Sequence, residues 1–113
     1  MITGLLYGNN AGSGEVVQVN NLTYNGIVKL MSLDPSNEII EQFPWPDKPY
    51  VMLTLELGSE DDVTRDVFDM TGFSWEITGP ILFLHSEVDD DDYSGLDEAD
   101  IEFIRQVVSD EVR

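Results

Sequence analysis

The chain has 113 residues, no cysteine, and 23 acids against five bases, for a formal net charge of −18. That length fits one domain, and the missing cysteines exclude disulfides, thiolate nucleophiles, zinc–cysteine sites and iron–sulfur clusters. So much negative charge repels nucleic acid and anionic membranes alike, which leaves cationic partners as the favoured ones.

The predicted elements run as follows. Ile2–Tyr7 reads as a strand, followed by a Gly/Asn/Ser loop. Glu15–Val19 is strand-like, and Asn20-Asn21 suggests a turn. Tyr24–Leu33 is apolar on both faces and reads as a central strand, with a short buried helix as the alternative. Asp34-Pro35 fits a helix start, with Ile39, Ile40 and Phe43 on its buried side. Pro44, Pro46 and Pro49 end that helix. Tyr50–Leu57 alternates clearly enough to predict a strand.

Ser59 and Asp62 resemble a capping box, and Val63, Val67 and Met70 follow at helical spacing, which predicts an acidic helix. Phe73–Thr78 and Ile81–His85 flank Gly79-Pro80 and read as a hairpin. An acidic loop over 87–93 comes next. A last amphipathic helix is expected, with Ser94 as its cap and Asp97 as the acid at the third position, and with Ile101, Ile104, Val108 and Val112 on one face. This order predicts a single compact α+β domain: a mostly antiparallel sheet of about 5–6 strands with 2–3 helices.

The charge is unevenly spread. Residues 1–33 hold one acid, Glu15, and one base, Lys29. Residues 34–113 hold the other 22 acids and four bases, a net of −18. Salt-adapted proteins are also acidic and lysine-poor, but that adaptation coats a surface evenly. A neutral first third beside an acidic remainder points instead to an interaction face.

Catalysis is not expected. His85 is the only histidine, and no nucleophile motif accompanies it. The loop that follows is rich in oxygen ligands of the kind calcium takes. With Gly95 as the sixth residue of an EF-hand loop, Asp90, Asp92 and Ser94 take ligand positions 1, 3 and 5, but Ile101 stands where a bidentate Glu is required. No cofactor is expected, since neither a P-loop nor a dinucleotide fingerprint occurs. Met52-Leu53-Thr54-Leu55 resembles the strand carrying the His-x-Thr motif of the 2H phosphoesterases. Met52 takes the place of the histidine, and that departure removes the activity the resemblance would imply.

Five scattered bases cannot form a phosphate-neutralising groove, so direct nucleic-acid binding is not expected. The inverse is: a protein whose carboxylates stand in for phosphates on a nuclease, glycosylase, restriction or CRISPR effector, or polymerase. In size and charge the chain resembles the small acidic inhibitors of phages. The residues expected to carry this are Asp61, Asp62, Asp66 and Asp69, then Asp89, Asp90, Asp91 and Asp92, then Asp97, Glu98, Asp100 and Glu102. The alternative is a structural or accessory subunit of a phage-like assembly, docking through the neutral residues 1–33. A homodimer fits a surface of one sign as well as a monomer does. No basic or long apolar leader opens the chain, so a cytoplasmic location is expected, in the host cell if the chain is viral.

Overall fold

The computed structural model describes residues 2–8, 14–20, 24–31, 39–43, 45, 49–55, 64–68, 72–86 and 93–112. Among them lie nine strands and two helices. In chain order these are β1 (Ile2–Tyr7), β2 (Glu15–Val19), α1 (Tyr24–Met31), β3 (Ile39–Gln42), β4 (Tyr50–Leu55), β5 (Thr64–Phe68), β6 (Ser74–Thr78), β7 (Ile81–Ser86), β8 (Tyr93–Ser94), α2 (Glu98–Val107) and β9 (Val108–Val112).

All strand pairs are antiparallel and form two sheets. The larger has the order β2-β1-β7-β4-β3, with β8 attached to β7; the smaller has the order β6-β5-β9. The α+β class with mostly antiparallel pairing is therefore right. There are more strands than expected: three segments read as helix or as part of one contribute β3, β5 and β9, and Tyr93–Ser94, read as loop end and helix cap, contributes β8, while one expected strand becomes α1.

Each difference has a physical cause. Tyr24–Met31 is α1, not a central strand, because Ile27 and Met31 are buried one turn apart while Lys29 between them is exposed. β4 and β7 take the centre instead. The helix expected after Asp34-Pro35 is replaced, from Ile39 on, by β3 paired to β4; two consecutive isoleucines favour a pleated strand.

The acidic helix expected after Ser59 is replaced from Thr64 by β5. There Arg65 and Val67 are buried while Asp66 and Phe68 face outward, a period of two. The expected hairpin around Gly79-Pro80 is not one. Its strands form, but β6 pairs with β5 and β7 pairs with β1 and β4, so the chain changes sheet there. Gly79 makes that turn at φ +93°, a conformation that costs glycine little. The last helix ends at Val107, and Val108–Val112 leaves it as a strand along β5; β-branched Val107 and Val108 ease that change.

The larger sheet is covered on both faces. On one, Ile27 and Met31 of α1 pack with Val19, Val51, Leu53, Leu55, Leu82 and Leu84. On the other, Leu5, Tyr7, Tyr50, Met52, Ile81 and Phe83 meet Val67 and Ile77 of the smaller sheet together with Ile104 of α2. Double coverage explains why every residue of β4 is buried. Met52, which stands where the 2H pattern has its histidine, is fully buried. Among the described residues, no helix is long and apolar enough to cross a membrane.

Candidate binding face

The start of α2 follows from its sequence. Asp97, at φ −96° and ψ −179°, is the N-cap, and its carboxylate accepts from the Asp100 backbone N–H at 2.8 Å. The Asp100 carboxylate in turn accepts from the Asp97 N–H at 3.1 Å. This reciprocal box satisfies two amides that would otherwise lack partners. Just ahead of it, the Leu96 N–H donates to the Thr3 carbonyl at 2.9 Å, tying the helix start to β1.

Asp100 has a second duty. The buried Tyr50 hydroxyl donates a hydrogen bond to it. Burial, and then the Asp100 carboxylate, push the Tyr50 hydroxyl well up, so it stays a donor. Burial alone would raise Asp100 too. The hydrogen bonds from Tyr50 and Asp97 and the charge of His85 outweigh that and hold its carboxyl below the ordinary range.

A carboxylate with a lowered folded pKa adds stability that is present above its unfolded pKa of about 3.9 and is lost as pH falls through the folded value. We therefore expect Tyr50→Phe to cost about 1 kcal/mol at pH 7, a modest figure because Asp100 keeps some contact with solvent. The gap from the native chain should narrow below pH 4. Urea unfolding at pH 7 and pH 3 checks this, and a gap that stays constant with pH would contradict the role given to Asp100.

The expected site residues thus fall into separate groups. Asp97 and Asp100 hold the helix together. Glu98 and Glu102 lie exposed one turn apart on its flank. They line an open groove of about 560 Å³ with Ile101, Arg105 and Gln106 of α2 and Val16 of β2. Asp66 sits on the outer face of the smaller sheet, directly opposite Glu76. Glu76 was missed in the sequence, although the alternation over 74–78 was its signal. Asp61, Asp62, Asp69 and Asp89 to Asp92 lie outside the described residues. The picture of two acidic helices is corrected by β5: among the described residues, α2 is the acidic helix and Asp66 stands on a strand.

His85 ties strands together. Its Nδ1 lies 3.0 Å from the Ser94 hydroxyl, and its ring stands edge-on to Tyr50 at 6.0 Å. The oxygen offered as a calcium ligand at Ser94 is therefore engaged by His85, and a strand, β7, lies upstream where an EF-hand has a helix. Asp90 and Asp92 of that reading lie outside the described residues.

Two of the scarce cations are held by the fold, Arg65 in the core and Arg105 at the surface. Arg65 is only 2 % exposed, its guanidinium 4.7 Å over the Tyr7 ring. Arg105 reaches from α2 to donate to the Gly14 carbonyl at 2.9 Å. Neither arginine was singled out in the sequence.

No family model matches this chain, and no curated protein or solved structure matches it. The functional reading rests on the face itself.

Proposed function

We propose that the protein binds a basic partner and acts by occupying the surface with which a nucleic-acid-handling enzyme holds phosphates. The observation that carries this is the exposed pair Glu98 and Glu102, one turn apart on a well-capped helix. The backbone positions of Glu98 and Glu102 are offset by about 6 Å along the helix axis, roughly twice the axial rise of one DNA strand. Asp66 and Glu76 add a second acidic position. Such carboxylates take the place of phosphates before Arg and Lys, and the net charge of −18 speeds encounter.

The test is capture on the immobilised chain, elution with salt, and identification by mass spectrometry, followed by competition between this chain and duplex DNA for the captured enzyme. We expect mutually exclusive binding, and about tenfold weaker capture by the Glu98→Lys/Glu102→Lys variant. An enzyme that holds DNA and this chain together would rule the reading out. A second reading, an accessory subunit docking through residues 1–33, is favoured by the exposed Val16 on edge strand β2. It predicts that changes at Val16 weaken capture more than changes at the two glutamates.

A further inference from the structure

We infer that the groove between β2 and α2 receives an extended basic segment of the partner, which adds to β2 as a further strand. This rests on the reading that the partner is basic, and it states how that partner is held.

Three observations meet here. β2 is the end strand of the larger sheet, and among the described residues no strand pairs with its outer edge. Such an edge offers unpaired amides and carbonyls to an incoming chain. Proteins commonly blunt edges with lysine or proline, and Glu15-Val16-Val17-Gln18-Val19 has neither. Val17 and Val19 pack towards α1, whereas Val16 points to the α2 side, in register with Leu5 and Phe83, and remains 44 % exposed.

The second observation is the overhanging helix. Glu98, Ile101, Glu102 and Arg105 fall at positions i, i+3, i+4 and i+7, one stripe of α2, and that stripe shares the groove with Val16. The third is charge. Arg105, the cation of the stripe, is held by the Gly14 carbonyl, which leaves two carboxylates facing one engaged guanidinium. A strand laid along β2 turns alternate side chains to the helix side. Apolar ones there would meet Val16 and Ile101, and lysine or arginine would meet Glu98 and Glu102. An extended basic segment with apolar residues interspersed satisfies the edge, the apolar floor and the charge together.

The test uses the full chain, labelled with ¹⁵N, and three synthetic peptides of about ten residues, the length of a long strand. One alternates lysine and valine, one has the same composition as a lysine block and a valine block, and one is all lysine. The alternating peptide is expected to bind about tenfold more tightly than its block isomer. It should shift the amides of Glu15–Val19 and Glu98–Gln106. Glu98→Lys/Glu102→Lys is expected to weaken it about tenfold and Val16→Lys about fivefold, while Ile40→Ser on the opposite edge strand leaves it unchanged. The comparison of isomers needs no variant, so a misfolded mutant does not blunt the test. Equal binding of both isomers, or shifts confined to β3 or to the smaller sheet, overturns the added strand but leaves a basic partner standing. Failure of all three peptides to bind overturns both.

Discussion

Replacing Phe83 with alanine is expected to cost about 3–5 kcal/mol. Phe83 is fully buried on β7, between Leu5 of β1 and Met52 of β4. Its ring meets Tyr7 edge-on at 5.9 Å and Trp45 at 5.7 Å. It thus touches the aromatic cluster under α2 and the seam between the two sheets. Neither neighbour can close the cavity, because Tyr7 lies under Arg65, and the Trp45 Nε1–H is bonded to the Phe68 carbonyl at 3.2 Å. A domain of this size is stable by about 5–15 kcal/mol, so the variant would lose roughly a fifth or more of the total. Phe83→Leu keeps most of the volume and should cost under about 1.5 kcal/mol. Urea denaturation of both reads the difference, and an alanine cost under about 1 kcal/mol would mean the two sheets do not pack through this ring.

Gly14→Ala is expected to follow, at about 1–3 kcal/mol. A methyl group there would stand 2.6 Å from Tyr7 Cε2 and 2.8 Å from Tyr7 Cζ. Tyr7 has nowhere to go, with Phe83 at one side and Arg65 over its face. The start of β2 must move instead, and the Arg105 bond to the Gly14 carbonyl moves with it. The variant should therefore lose stability and also weaken any ligand of the β2–α2 groove. Thermal melting read alongside a peptide titration checks both. Full stability in Gly14→Ala would show that Gly14 is not wedged against Tyr7.

How much of this was legible in the sequence varied with the range of the forces involved. β1, β2 and β4 were readable because their alternation is local. The N-cap of α2 was misplaced by one turn: Ser94 with Asp97 fits the pattern, but Ser94 lies in β8, and the box forms between Asp97 and Asp100. β5 was hidden by Arg65: a buried guanidinium interrupts the apolar alternation that would have marked a strand, and Val63, Val67 and Met70 happen to fall at helical spacing. The partners of Arg65 and of Asp100 lie far along the chain, on Tyr7 and Tyr50, where no periodicity reaches. For the same reason all the acids of α2 looked equivalent. Only packing shows that Asp100 turns inward while Glu98 and Glu102 stay out, and that Val16 joins them from the other end of the sequence.

The junction at Val107 and Val108 has a mechanical consequence. The helix passes into β9 with no loop between them, and β9 is bonded along β5. A load applied to α2 would therefore pass into β9 and, through its pairing, to β5, across a shift of register between Arg65 and Val67. The second sheet is in this sense the anchor of the helix.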